Sequence, residues 1–327
     1  MNELPALSVV LVTPHRYDTL RKTMRCLRAQ TVASQIEVVI VAPQRASFGY
    51  DPNEQNGFYR VQVIETGQSV HLGQAKAIGV RHATAPIVAF AEDHCYPAPR
   101  WAAELLKAHQ EPWTAVSPAI GNANPESLFS WANLLIAYGH WLEPATSRPV
   151  DDVPAHNSSY KRDALLAFGE ELDHSFLGRE GSLHQRLKKD GHRFYLEANA
   201  QAYHLNPTHP LAWLALRFNA GRLYAATRAE SNGWTLPRKL MYIAGAPLIP
   251  VMRLRQLIPQ LRRTGRDREL LPKLLPILVL LLVIHSLGEM AGYALDEGTT
   301  RNTLANFEFD RVRQLSRQDQ LRHAEVL

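Results

Sequence analysis

Cysteine is nearly missing from this chain: 327 residues include two, Cys26 and Cys95, far apart and in no CxxC pair. That excludes a disulfide framework and a cysteine-bound structural zinc site, and it fits a reducing compartment. No GxGxxG follows the first apolar run and no GxxxxGKS/T occurs anywhere. A dinucleotide-binding Rossmann domain and a P-loop nucleotidase are thereby set aside. Internal repeats, low-complexity tracts and nucleic-acid-reading motifs are absent too, and the net charge of +5 is mild but unevenly placed. The opening MNELPALSVVLVTPHR has no basic segment ahead of its short apolar run. The run therefore reads as a first strand and not as a signal peptide.

What the chain does have is alternation. Residues 7–12 are an apolar, β-branched run that stops at Thr13-Pro14, and Asp18 is placed to cap a helix with Leu20, Met24 and Leu27 on one face. Residues 36–41 and 58–64 read as the second and third strands, 73–83 as a small-residue helix, and 87–91 as the fourth strand. A helix opened by Pro99 and a strand near 114–117 follow. Strands separated by helices predict right-handed crossovers and a mostly parallel sheet flanked by helices.

Ligands in such sheets bind beyond the carboxyl ends of the strands. There the fourth strand runs straight into Glu92, Asp93 and His94. Two carboxylates bordering low dielectric need partners or a cation, and a divalent ion holding a diphosphate meets that need. A solvated cluster of strand-end acids is the alternative.

Four further stretches resemble a known family in the expected order. LSVVLVTPHRYDTLRKTMRCLRAQTVASQIEVVIV is similar to the opening of family 2 glycosyltransferases, and AKAIGVRHATAPIVAFAEDH to that family's helix, strand and DxD motif. HNSSYKRDALLAFG resembles its acceptor-side segment, and GREGSLHQRLKKDGHRFYLEANAQAYH its catalytic-base helix with the strand after it. The resemblance covers roughly residues 7–204. It implies a GT-A fold over residues 1–209, with a nucleotide-sugar half at 1–120 and an acceptor half at 121–209.

The resemblance assigns roles residue by residue. Glu92, Asp93 and His94 fall on the DxD that holds metal and donor; histidine in the last place departs from the usual carboxylate, which favours Mn²⁺ over Mg²⁺ or weakens binding. His204 falls on a histidine that approaches the diphosphate or metal, though a strand-end histidine also serves packing. Thr13, Arg16 and Lys76 fall on nucleotide-facing positions, a solvated lysine being the alternative for Lys76. His156, Asn157 and Ser158 fall on the acceptor side, or cap the helix that follows. Glu180 falls on the catalytic base, with the DxxLxxRLxxxG spacing kept through Leu183, Arg186, Leu187 and Gly191; Arg179 replaces the acid that usually precedes it. A helix-start carboxylate is the alternative reading of Glu180.

Two absences qualify this picture. The Asp-Asp-Gly-Ser turn expected after the second strand is replaced by Ala42-Pro43, which leaves the nucleotide open, and the QxxRW of processive members is missing, which points to single additions. The implied enzyme moves one sugar from a nucleotide-diphospho-sugar to a lipid-linked or other glycan acceptor. A non-catalytic nucleotide-sugar-binding or scaffold module is the rival, and a metal-dependent hydrolase on an α/β sheet a third reading.

Residues 210–327 read as a helical extension with apolar stretches at 241–252 and 274–288. Beside them crowd Arg253, Arg255, Arg262, Arg263, Arg266, Arg268 and Lys273, a cluster that suits an anionic membrane surface or phosphates, with a solvated helix face as the equal alternative. The second stretch is short for a spanning helix. A membrane-dipping or interfacial element at the cytoplasmic face, peripheral or monotopic, is the expectation. A helix hairpin packed on the soluble domain, or a homodimer contact, is the alternative.

Overall fold

A computed structural model of the chain describes residues 4–13, 17–43, 48–67, 70–177, 181–309 and 311–325. Two of the expected site residues, Arg16 and Glu180, lie outside these. The chain divides into two compact units, one of Met1–Ala123 with Glu143–His204 and one of Asn124–Leu142 with Leu205–Leu327.

The first unit carries nine strands in one sheet among the described residues. They are β1 (Leu7–Val12), β2 (Ile36–Ala42), β3 (Arg60–Glu65), β4 (Ile87–Ala91), β5 (Cys95–Pro97), β6 (Ala115–Asn122), β7 (Arg148–Val150), β8 (Ser159–Lys161) and β9 (Phe194–His204). The order is β3-β2-β1-β4-β8-β6-β9-β5, with β7 also on β9. Pairing is parallel from β3 through β4, as the alternating sequence predicts. Beyond β4 the sheet is mixed, because β8 runs antiparallel to both β4 and β6 while β6 and β9 run parallel.

The central strands are mostly apolar because both faces are covered, with Ser8 and Glu37 as the buried polar exceptions on β1 and β2. Val10, Val39, Val88 and Phe90 pack with Tyr160, Leu183, Leu187 and Phe194 in one core. Each such side chain contributes about 1.5–3 kcal/mol by leaving water. Helices of this unit are α1 (Arg21–Arg28), α2 (Leu72–His82) and α3 (Trp101–Ala108). Asp18 does not cap α1, contrary to expectation. The helix begins at Arg21 with Leu20 in the cap position and no side-chain bond there, and Asp18 instead pairs with Arg21 at 3.0 Å. Helix α2 lies very close to β1: a Cβ at Gly79 would stand 2.4 Å from Val10 Cγ1. Its run of Gly73, Ala75, Ala77 and Gly79 makes that approach feasible and turns Lys76 inward.

The second unit is helical. It comprises α4 (Leu128–Tyr138), which comes early in the chain, and α8 to α13 after His204; the short α5 (Arg162–Leu166), α6 (Leu172–Leu177) and α7 (Gly181–Lys189) belong to the first unit. The later helices are α8 (Pro210–Ser231), α9 (Leu236–Gly245), α10 (Ile249–Arg263), α11 (Asp267–Leu295), α12 (Thr300–Phe309) and α13 (Arg317–Glu325). Helix α4 joins this set through Arg217, whose Nη2 donates to Asn133 Oδ1 at 2.7 Å. Helices α8 and α11 touch backbone to backbone. A Cβ at Gly288 would meet Phe218 O at 2.0 Å, and one at Gly221 would meet His285 O at 2.1 Å. Small residues permit such contact and any larger one forbids it.

Candidate active site

The site builds from the exit of β4. Burial of Ile87 through Phe90 brings the strand end out of the core at Glu92, on the same edge as Thr13 after β1. Thr23 on α1 donates its hydroxyl to the Glu92 carbonyl at 3.0 Å and fixes the turn. Thr13 is buried beside Thr19, with 3.3 Å between their hydroxyls.

The Glu92 carboxylate faces nitrogen on every described side. Asn157 Nδ2 donates to Oε2 at 2.8 Å. His94 Nε2 stands 3.5 Å from Oε2, His204 Nε2 3.9 Å from it, and His156 Nδ1 3.4 Å from Oε1. His204 arrives from the far end of the first unit's sequence because β5 pairs antiparallel with β9, setting Cys95 opposite His204. The His94 and His204 rings meet edge to face with centroids 5.0 Å apart.

Asp93 sits one bond further out. Its Oδ1 accepts from His94 Nδ1–H at 2.6 Å, which leaves Nε2 of that ring with its lone pair directed elsewhere. A carboxylate behind a histidine is the arrangement that orients imidazole ligands. Lys76 is buried rather than solvated: its Nζ donates to the Ala155 carbonyl at 3.3 Å, lies 3.2 Å from His156 Nδ1 and stands 5.2 Å from the Phe90 ring centroid. Ser158, also buried, gives its hydroxyl to the Pro154 carbonyl at 2.7 Å.

Electrostatics keep the carboxylate ionised. Burial alone pushes the Glu92 carboxyl up, but His94, His156 and His204, when protonated, together with Lys76, outweigh it and hold the group well below the usual carboxylate range.

One oxygen donor on Glu92 and two imidazole donors on His94 and His204 lie within 4.8 Å of one another. The set fits a single divalent ion, and two nitrogens beside one oxygen suit an ion that tolerates imidazole better than one demanding oxygen alone. The structure thus gathers Glu92, Asp93, His94, His204, Lys76, His156 and Asn157 at one place. Sequence reasoning passed over Thr23, which carries no signal beyond a hydroxyl on a helix. It also set His156 and Asn157 apart from Glu92. A cavity of about 460 Å³ lies in the helical unit, lined by Trp234, Lys239 and Asp296 among others, and holds none of these residues. Donor chemistry, not cavity size, locates the site.

With this geometry in hand the class follows. The sequence model of the family described as Glycosyl transferase family 2 matches residues 8–168, a stretch that includes Lys76, Glu92, Asp93, His94 and residues 156–158. The chain carries a family 2 glycosyltransferase domain, on a GT-A fold. No curated protein matches it by sequence. Among solved structures, the mannosyltransferase PcManGT from Pyrobaculum calidifontis, in complex with GDP-Man and Mn²⁺, is similar over 95% of this chain and 88% of its own. The identity is 14% and the TM-score 0.50. GalNAc-T7, in a crystal structure with UDP, GalNAc and Mn²⁺, is similar over 63% of this chain at 16% identity and a TM-score of 0.46, and the match spans 44% of GalNAc-T7.

Proposed function

We propose that the chain is an inverting, metal-assisted glycosyltransferase that moves one sugar from a nucleotide-diphospho-sugar to a lipid-linked or other glycan acceptor at the cytoplasmic face of a membrane. The observation that supports this most is the convergence of Glu92, His94 and His204 at the exit of β4. PcManGT, a protein of similar fold, holds GDP-Man and Mn²⁺, a donor and an ion of the same chemical class.

In this reading Glu92, His94 and His204 hold a divalent ion, with Mn²⁺ preferred over Mg²⁺ because of the two imidazoles. Bound there, the ion supplies Lewis-acid neutralisation of the charge that grows on a departing diphosphate. Asp93 orients His94 by accepting from Nδ1–H. Asn157 holds the Glu92 carboxylate by donating to Oε2. Lys76 and His156 add positive potential beside Glu92, which favours an anionic donor. Thr13 and Arg16 belong to the nucleotide side. Glu180 is the general base: its carboxylate takes the proton of the acceptor hydroxyl as that oxygen attacks the anomeric carbon and the bond to the diphosphate breaks. Attack opposite the leaving group inverts the centre.

The test is turnover of nucleotide sugars by the purified protein with Mn²⁺, compared with Glu180→Gln. Loss of transfer and of donor hydrolysis in the variant, with nucleotide binding retained, supports the assignment. Nucleotide-sugar binding without turnover of any donor or acceptor by the wild type replaces it with a non-catalytic module.

A further inference from the structure

We propose that the helical unit carries a single-leaflet docking surface for an anionic bilayer, made of two adjoining apolar rows. This rests on the membrane part of the reading above and specifies its contact. The first row is Leu236, Leu240, Leu248 and Met252, spaced in multiples of four through α9, the turn Ala246–Leu248 and α10, and 55–68% exposed. The second is Leu275, Val279, Val283 and Leu287, spaced by four along α11 and 39–47% exposed. Residues four apart share a helix face, so the second row is a continuous stripe, while the first is two short pairs, Leu236 with Leu240 and Leu248 with Met252, on either side of Ala246, where the turn begins.

The two rows run antiparallel on packed elements. Tyr242 and Tyr293 have ring centroids 5.6 Å apart, and Ser286 donates to the Ala246 carbonyl at 2.6 Å. Helix α11 is long and apolar enough to cross a membrane, yet 33% of its most apolar eighteen residues is buried. A core helix would bury far more of that stretch. Two facts count against a lipid-spanning reading. One side of α11 is packed backbone to backbone against α8 at Gly221 and Gly288, so it does not face lipid. Its uncharged run between Lys273 and Glu289 is about 22 Å long at the α-helical rise, short of the ~30 Å hydrocarbon core. An amphipathic surface lying in the headgroup boundary meets both facts.

Charge selects the occupant. Arg255, Arg262, Arg268 and Lys273 are exposed and make no ion pair among the described residues. They sit in the same helices as the rows, so a second copy of this surface would bring like charges together. Anionic headgroups would instead be attracted.

The experiment is flotation of the full chain with phosphatidylcholine vesicles and with phosphatidylglycerol-rich vesicles, at low and high salt. The proposal expects flotation with the anionic vesicles, weakening as salt rises, and release by alkaline carbonate. Leu248→Asp with Met252→Asp should lower binding about a hundredfold. Arg255→Gln with Arg262→Gln should lower it about fivefold per residue, a variant that leaves the apolar packing alone and serves if the first fails to fold. A folded, detergent-free protein that floats with neither vesicle overturns the proposal. So does resistance to carbonate, which marks a span, or a dimer that the aspartate pair dissolves without changing flotation. Donor turnover is read separately without lipid, so the loss of one reading leaves the other intact.

Discussion

A buried glutamate and a half-buried one stand at opposite ends of the parallel part of the sheet, and they are treated very differently. Glu37, at the start of β2, is fully enclosed by donors: the Ser8 hydroxyl, the Arg60 guanidinium, Gln62 Nε2 at 3.2 Å, and both the Thr84 N–H at 2.8 Å and its hydroxyl at 3.1 Å. Glu92, at the exit of β4, accepts a bond from Asn157 while three imidazoles stand at 3.4–3.9 Å. Burial raises both groups, and their neighbours bring both below the usual range. The difference lies in what does it. At Glu37 hydrogen bonds saturate the oxygens and leave nothing to bind. At Glu92 the compensation is mostly the charge of neighbours that make no hydrogen bond to it, and coordination capacity is left over. A saturated carboxylate is a fastener; an unsaturated one among imidazoles is a receptor for a cation.

Exchanging the two residues for glutamine should separate these roles. Glu92→Gln is expected to cut donor turnover about a hundred- to a thousandfold with a melting temperature close to that of the wild type. Glu37→Gln is expected to cost about 2–4 kcal/mol of stability, because it breaks several charge-assisted bonds, with kcat unchanged below its melting point. Chemical denaturation and initial rates on both variants check this; a large stability loss at Glu92 would break the contrast. Asp93→Asn should weaken Mn²⁺ binding about ten- to a hundredfold by loosening the hold on His94, measured by titration of the ion.

Acid should act at the Glu37 end in a defined window. The folded Glu37 pKa lies below its unfolded value, so its contribution is full above about pH 4.5 and is lost as pH falls through the folded value. His109 acts higher. Burial pushes its imidazole down to about 4, with hydrogen bonds to Trp113 O and Ser159 opposing. Its contribution is full above about pH 6.5, the unfolded value, and is lost as pH falls toward about 4. His109→Gln should flatten the stability curve between those limits and leave the steeper fall below to Glu37, as denaturation midpoints against pH would register.

Much of the parallel half was legible. The runs at β1 and β4 are apolar and β-branched, and their ends coincide with the expected ones. The three-residue strands β7 and β8 were not legible, since a pattern of period two needs more length than that. Glu92, Asp93 and His94 could be found from their place after a buried strand. His204 could be found only through the order of family motifs, because its approach depends on the β5–β9 pairing, a contact that no local pattern encodes. Lys76 was expected to face phosphates, with a solvated lysine as the alternative; the small residues around it draw α2 onto β1 and bury it, against the solvated alternative. Helix α4, which the mixed pattern of its stretch did not announce, groups with the later helices through a buried arginine far along the chain.

The pairing of β9 with both β6 and β5 has a consequence for biosynthesis. Glu92 and His94 leave the ribosome well before His204, so a nascent chain holds two of the three proposed donors and cannot gather the third until the sheet's last strand is laid in. If these three bind the proposed ion, affinity for it becomes a readout of finished folding, and the growing polypeptide is spared from trapping metal early.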